Sequence, residues 1–504
     1  MDNKNVGEGS SGIPSLKKVT SGISTSFSGR IINAVLSYVN LVLIARILST
    51  ENFGIYSFAI YIIGFLVVFS NFGLQNTLIY LLPKRKVDGS YKDTFFTSLY
   101  FNIIFSIFIV LAMFVSIPQM IRFFPEFDRA QTFIRILALS IPFQSLIIYF
   151  KAVNQTNYDY IKSTIPEFIV RPILFFLSLL FLYLYKPDEN LYVLYAYLLS
   201  YLVPFVFALY WGMQSAVPHL GKQWKFKIDK SFFRLSPQFL SIQLLNKGNV
   251  LVITLLIGIF LSPEDVGFFR VSERSVQLVL FALTSLNTVF APMISSLYAQ
   301  NKLRRLGEVY QTSTKWILAL GGSACIFMIV GADWIMMFFG QEFTEATLLL
   351  VVLSIGQLVN AATGSCGYIV MMTGRQKLLI WNRIFTLIFI FVFTIAGVQF
   401  MGLLAAGLAF SLGQSLSQIV LVFTVKKHLQ ITPISKRYLG TLLSLLITTG
   451  ISLLLKNLIA TPFLWLNLIL LGLVLAVVFL FPYYFFGMDQ KERAHAKSTL
   501  GLNR

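Results

Sequence analysis

The 504-residue chain is 56% hydrophobic and 12% charged, with a mean hydropathy of +0.76, roughly half the charge that a soluble globular chain carries. That composition excludes a soluble domain and places the chain in a bilayer. Its 40 Lys and Arg against 21 Asp and Glu leave a net charge of +19, which the positions of the cations assign to membrane orientation and anionic inner-leaflet lipid, not to nucleic acid.

Residues 1–22 are polar and Gly/Ser-rich, with Lys17 and Lys18, and lack the apolar core and small-residue cleavage site of a secretory signal. The first span is therefore expected to act as its own insertion signal. Beyond it, apolar blocks alternate with short polar stretches, and each block approaches the roughly 20 residues that a membrane helix needs. The spacing predicts spans at 24–47, 54–80, 94–118, 131–151, 164–185, 190–214, 236–260, 266–296, 315–338, 346–372, 379–400, 402–425, 438–456 and 462–486. The strict alternation of outer-membrane strands is absent. The expected fold is an all-α integral membrane protein of about fourteen helices. Its predicted divisions are a cytoplasmic segment 1–23, an N-terminal lobe 24–214, a basic linker 215–235, a C-terminal lobe 236–426, two further helices in 427–486 and a basic tail 487–504.

Lys and Arg near span ends stay on the cytoplasmic side, and here they alternate between connections. One set holds Lys84, Arg85, Lys86 and Lys92; Lys151 and Lys162; Lys222, Lys225, Lys227, Lys230 and Arg234; Lys302, Arg304 and Arg305; Arg375 and Lys377; and Lys426, Lys427, Lys436 and Arg437. The opposite set is short and poor in cations, and offers Glu51, Arg122 with Glu126, Asp128 and Arg129, Lys186 with Asp188 and Glu189, Glu264 with Asp265, Glu342 and Lys456. Both termini are expected in the cytoplasm. Cys325 and Cys366 fall inside apolar segments, as ordinary packing residues do.

An internal repeat organises the spans. After the first comes Leu48-Ser49-Thr50-Glu51-Asn52-Phe53-Gly54-Ile55-Tyr56, and after the seventh Leu261-Ser262-Pro263-Glu264-Asp265-Val266-Gly267-Phe268-Phe269. Ser or Pro followed by an acid suits a tight turn into a helix N-terminus, where a carboxylate meets the positive end of the dipole. A second pair, Glu126-Phe127-Asp128-Arg129-Ala130 and Glu342-Phe343-Thr344-Glu345-Ala346, lies at nearly the same offset. Two anchors in register imply two homologous six-span halves of parallel topology, an arrangement that tracks transport by alternating access.

Cations inside spans cost about 2.5–3.5 kcal/mol each on insertion scales and belong against protein or water. They are Arg30, Arg171, Lys247, Arg270, Arg274 and Arg383. Arg270 and Arg274, at i and i+4, share one helix face. Intramembrane acids are scarcer, Glu167 and Glu273 being the clearest. A net positive cavity predicts an anionic substrate, with Arg forks suited to phosphate. Other readings stay open: Glu273 at i+3 neutralises Arg270, or Arg171 and Arg383 snorkel toward the cytoplasm. Arg46 and Arg135 lie near span ends, where snorkelling suffices. Asn33 and Asn246 correspond under the repeat offset, either as polar glue between helices or as amides near the pseudo-axis.

The segments 44–56, Phe338-Phe339-Gly340-Gln341-Glu342-Phe343, Met372-Thr373-Gly374-Arg375-Gln376 and Met401-Gly402-Leu403-Leu404-Ala405-Ala406-Gly407 resemble the polysaccharide-exporter branch of the multidrug/oligosaccharidyl-lipid/polysaccharide superfamily, the Wzx-type polysaccharide and O-antigen flippases. The resemblance covers about the first 430 residues. It implies a MATE-like pair of six-helix lobes facing a cationic cavity, with the last two helices added as in members that carry lipid-linked substrates. It further implies a bacterial inner-membrane flippase for an undecaprenyl-diphosphate oligosaccharide, alongside glycosyltransferases and a polysaccharide polymerase. Carried over by location, Arg30, Lys247, Arg270 and Arg274 hold the diphosphate, with Arg171, Arg383, Asn33, Asn246 and Glu273 as further cavity residues. The chain departs from many relatives by having Lys247 where acid-containing pairs are common, so coupling to H+, to Na+ or to the membrane potential alone stays open. No cofactor is expected. The rivals are a drug exporter of the same superfamily, which should need cavity acids, and a membrane glycan-modifying enzyme, which needs a positioned base. His219, His428 and His495 all fall in predicted cytoplasmic segments.

Overall fold

The computed structural model describes residues 16–124, 129–185, 190–221, 227–489 and 492–493. The expectations for 1–15, for Glu126 to Asp128, for the loop 186–189, for Lys222 and Lys225 and for the tail beyond 493 lie outside the described residues. Among those described, no strand occurs and 12 helices are long and apolar enough to cross a membrane, or 13 with the bent helix Lys230–Phe260. Of the about fourteen spans expected, the one at 266–296 is not counted among the described residues. That stretch is two helices, Pro263–Gln277 and Leu280–Ala299, the first of only 15 residues. Glu264, Asp265, Arg270, Glu273 and Arg274 make this first helix too polar and too short to span by itself.

Two compact units arise from the packing, one of Met1–Asn40, Ile63–Pro118 and Thr132–Leu244, the other of Leu41–Ile62, Gln119–Gln131 and Leu245–Arg504. In chain order the helices that lie in or enter the first unit are α1 (Leu16–Ile47), α2 (Thr50–Asn71), α3 (Leu74–Val87), α4 (Tyr91–Ile121), α5 (Ala130–Ala138), α6 (Ile141–Thr156), α7 (Tyr160–Ile165), α8 (Arg171–Tyr185), α9 (Leu191–Leu220) and α10 (Lys230–Phe260). A π-helical turn, Pro166–Val170, joins α7 to α8.

Within this unit α6 packs on α3 and α9, and buried polar groups join the helices. Asn102 Nδ2 donates to Ser145 Oγ (2.6 Å), Tyr149 Oη to the Phe95 carbonyl (2.8 Å) and Ser215 Oγ to Asn154 Oδ1 (2.8 Å). Such bonds fix helix register where lipid offers no competing partner. The chain breaks between α2 and α3 at Gly73, whose φ of 74° favours glycine. A Cβ there would also sit 2.4 Å from the Ser236 carbonyl oxygen. The segment entering α10 is tied down by Asp229, which accepts from Thr94 Oγ1 (2.5 Å) and Arg85 Nη2 (3.1 Å), while the Lys227 N–H donates to Asp93 (2.8 Å).

The second unit continues with α11 (Pro263–Gln277), α12 (Leu280–Ala299), α13 (Leu303–Val330), α14 (Ala332–Phe339), α15 (Thr347–Thr363), α16 (Cys366–Met372), α17 (Gln376–Met401), α18 (Leu403–Leu429), α19 (Lys436–Leu455) and α20 (Leu464–Pro482). Helix α13 is its hub and packs on α12, α15, α19 and α20. Both cysteines are free and buried.

The repeat turns meet in this unit. Ser262 caps α11 in a reciprocal box with Asp265, and Ser49 Oγ accepts from the Asn52 N–H (3.3 Å) at the start of α2. Both motifs are therefore helix starts, as their residue types predict. The two turns also touch: a Cβ on Gly54 would fall 1.8 Å from the Pro263 carbonyl oxygen, and Gly267 packs on Phe53 and on the Gly54 backbone. Only glycine permits this approach. Phe343, from the second anchor, packs edge-on against Phe53 and Phe268 with centroids 5.4 and 5.6 Å away. Arg46 is more than a snorkelling cation, since its guanidinium donates to the Met337 and Phe338 carbonyls at 2.9 Å and completes the C-terminal end of α14.

Candidate functional site

The candidate cations other than Arg383 group around α11 in the second unit and around the π turn in the first. In the second unit, the capping box starts α11, along which Arg270, Glu273, Arg274 and Gln277 lie within two turns of one another. Arg270 is 6% exposed, and its guanidinium lies over the Tyr61 ring, 5.0 Å from the centroid. Its Nε and Nη1 are buried without a hydrogen-bond partner among the described residues. Burying unpaired charged donors is expensive, so these atoms present unmet demand for an acceptor.

Glu273, 4% exposed, does not meet that demand. Its Oε2 accepts from Tyr61 Oη (3.2 Å) and lies 4.0 Å from Arg274 Nε, and Gln277 Nε2 donates to its Oε1. Of the readings left open by the sequence, the Arg270–Glu273 pair is not formed; Glu273 contacts Arg274, Tyr61 and Gln277 instead. An i+3 carboxylate reaches Arg270 only if no better donor faces it, and Tyr61 does. Arg274 is half-exposed and donates to Gln277 Oε1 (3.1 Å). Lys247 on α10 is exposed and within electrostatic reach of Arg274 and Glu273. Three cations face one carboxylate, so the cluster stays positive and favours anions.

Tyr61 and Gln277 escaped the sequence reading. A signal for Tyr61 existed: the offset that pairs Gly54 with Gly267 also pairs Tyr61 with Arg274. Arg383, on α17, is half-buried and near the Cys366 thiol, away from these contacts. Asn246 lies on α10, its side chain outside what the structure describes.

In the first unit, the π turn carries Glu167 and Phe168 and leads into Arg171. Lys151 was assigned by sequence to a cytoplasmic connection. It lies more than a turn inside α6, with Nζ 2.8 Å from Glu167 Oε2 and 4.5 Å from the Phe168 centroid. Glu167 is therefore half of an ion pair, not a lone intramembrane acid. Arg30, exposed, lies 6.0 Å from the same ring. The Arg171 guanidinium lies over the rings of Tyr201 (4.3 Å) and Tyr197 (5.4 Å), contacts that stabilise a cation among apolar helices. Asn33 Oδ1 accepts from Ser37 Oγ (3.3 Å) on its own helix. Among the described residues no group of three or more His, Cys, Asp and Glu could hold a metal ion.

Comparison with known proteins places these clusters in context. A curated relative, the probable low-salt glycan biosynthesis flippase Agl15 of Haloferax volcanii, is 24% identical over 330 residues. The match takes in 65% of this chain and spans 66% of that protein, just under two thirds of its length. Among solved structures, the chain is similar to the lipid II flippase MurJ in an inward closed conformation, with a TM-score of 0.74, 17% identity and coverage of 93% of this chain and 98% of that one. It is also similar to an outward-facing multidrug resistance MATE family transporter of the MOP superfamily, with a TM-score of 0.59, 14% identity and coverage of 82% and 96%. These likenesses show a shared fold. The sequence profile of the polysaccharide biosynthesis protein family matches residues 43–348, well over half of the chain, and the chain belongs to that family.

Proposed function

We propose that the chain is a flippase that carries an undecaprenyl-diphosphate-linked oligosaccharide from the cytoplasmic to the outer leaflet, by alternating access through a cationic cavity. The observation that carries this reading is Arg270, buried with two guanidinium nitrogens unpartnered beside Arg274 and Lys247. A diphosphate supplies the acceptors and negative charge that this cluster lacks. Sugar hydroxyls cost several kcal/mol each to drag through hydrocarbon, so the glycan needs a protein path while the prenyl tail stays in lipid. Family membership, the name of the Haloferax relative and the fold shared with a lipid II flippase all support this substrate class.

An inside-negative potential favours outward movement of an anion by about 2.3 kcal/mol per charge per 100 mV. That supplies direction without a nucleotide site; coupling to H+ or Na+ remains an alternative source. The same reading puts the chain in a bacterial inner membrane with both termini cytoplasmic, and among its partners glycosyltransferases and a polysaccharide polymerase. A small-molecule exporter of the same fold would need acids to hold cationic drugs. Here Glu273 and Glu167 already hold Arg274 with Tyr61, and Lys151. The test is flipping of a fluorescent undecaprenyl-diphosphate oligosaccharide in proteoliposomes, with Arg274→Ala and Lys247→Ala compared at matched reconstitution. Wild-type flipping that collapses in both variants supports the proposal; flipping unchanged in both makes these cations structural.

A further inference from the structure

The ion pair in the first unit has a different character from the α11 cluster. It is locally neutral, so it adds little to the attraction of an anion, and it is desolvated, with Lys151 11% and Glu167 28% exposed. A pair in such a setting gains little stability over apolar residues of similar volume. Its geometry nevertheless fixes two polar groups. Pro166 has no N–H, so the regular ladder fails where it enters. The helix widens into the π turn, closed by the Arg171 N–H on the Pro166 carbonyl. Turns of this kind re-aim side chains and recur at functional sites. Here the turn sets Phe168 beneath Lys151 and Arg30, and it sets Glu167 on Lys151. α1 is pressed close at the same level, since a Cβ on Gly29 would lie 2.5 Å from Thr164 Cγ2. Arg30 is therefore held beside the pair.

We propose that Glu167 and Lys151 form a saccharide subsite that reads the first sugar of the lipid-linked substrate while Arg30 beside them takes phosphate. The inference rests on the flippase reading and deepens it. Glu167 Oε2 is committed to Lys151, and Oε1 has no protein partner among the described residues. An acceptor oxygen next to a lysine ammonium matches two neighbouring sugar hydroxyls, one donating to the carboxylate and one accepting from the ammonium. A hydroxyl held by ionised groups gives strong discrimination against a ligand that lacks it, because the site's own polar groups are then left unpaired. The α11 cluster, by contrast, reads charge and is indifferent to what the phosphate carries.

The experiment uses full-length protein in nanodiscs and two probes: undecaprenyl diphosphate without sugar, and the same lipid bearing one hexose. Glu167→Gln should weaken binding of the glycosylated lipid by about 10- to 100-fold and leave the sugar-free lipid within about twofold. Equal loss for both lipids is followed by Lys151→Met/Glu167→Gln, which removes the pair without leaving a buried charge. Recovery of sugar-free binding alone supports the subsite; recovery of both overturns it, since the pair then only ties α6 to the π turn. Unchanged binding of both lipids by Glu167→Gln also overturns it. Wild-type protein that binds neither lipid overturns the flippase reading first, and the subsite with it.

Discussion

The C-terminal segment gives the sharpest quantitative expectation. Lys315 sits in the middle of α13 with its side chain 3% exposed, and its ammonium contacts Asp489 Oδ2 (3.1 Å) and both carboxylate oxygens of Glu492 (2.7 Å each). Trp316 Nε1 donates to Glu492 (2.8 Å), and Arg437 Nε at the start of α19 lies 3.2 Å from Asp489. The segment beyond α20 thus supplies the counter-charge for a lysine buried in another helix. The double variant Asp489→Asn/Glu492→Gln leaves that ammonium uncompensated, at a cost of about 3–5 kcal/mol for a fully buried pair. Asp489 is half-exposed and Glu492 24% exposed, so solvent screening brings the expected loss below that range, to about 2–3 kcal/mol. Adding Lys315→Met should recover most of it, because an apolar residue has no charge to satisfy. Thermal unfolding in detergent reads this out as a midpoint lowered by several degrees in the double variant and restored in the triple. Burial pushes the Glu492 carboxyl up, but bonds from Lys315, the Asp489 N–H and Trp316 outweigh it and hold the group below the usual glutamate range. Its contribution is therefore complete above about pH 4.3 and lost as pH falls through its lower folded value. A double variant that melts with the wild type would refute the reasoning.

Two further expectations concern the repeat and the linker. Gly54→Val places side-chain carbon where the Pro263 carbonyl already lies, 1.8 Å from an added Cβ. It should lower the unfolding midpoint by the equivalent of about 1–3 kcal/mol or more; wild-type melting would show that the two turns do not bear on each other. Asp229, driven up by burial but driven further down by bonds from Ser231 and Thr94 and by Arg85, holds the segment entering α10. Asp229→Asn should raise amide exchange over 227–231 by about 10-fold or more. The wild type should show the same loosening only as pH falls through the depressed folded value, below about 3.9; exchange unchanged in the variant would contradict this.

Much of the fold was legible because the membrane leaves few alternatives: helices of about 20 apolar residues, cations sorted to connections, and a repeat anchored by Ser49 and Ser262. The span expected at 266–296 is interrupted where α11 exchanges hydrophobicity for charge. There Arg270, Glu273 and Arg274 are individually conspicuous, but their partners come from α2 and α10. Spacing within one helix proposed the Arg270–Glu273 pair; Tyr61, some two hundred residues away in sequence, dissolves it. Lys151 was hidden for a related reason. Near the end of a predicted span a lysine reads as an interfacial anchor, and only the π turn at Pro166 brings Glu167 within reach. The sequence marks which residues carry charge, and packing decides which charges remain unspent.

The most direct measurement is the flipping rate of an undecaprenyl-diphosphate oligosaccharide in proteoliposomes under an imposed potential. The account predicts transport that accelerates as the loading side is made more negative and that is lost in Arg274→Ala. Absence of lipid transport, with accumulation of a small cationic dye instead, would contradict it.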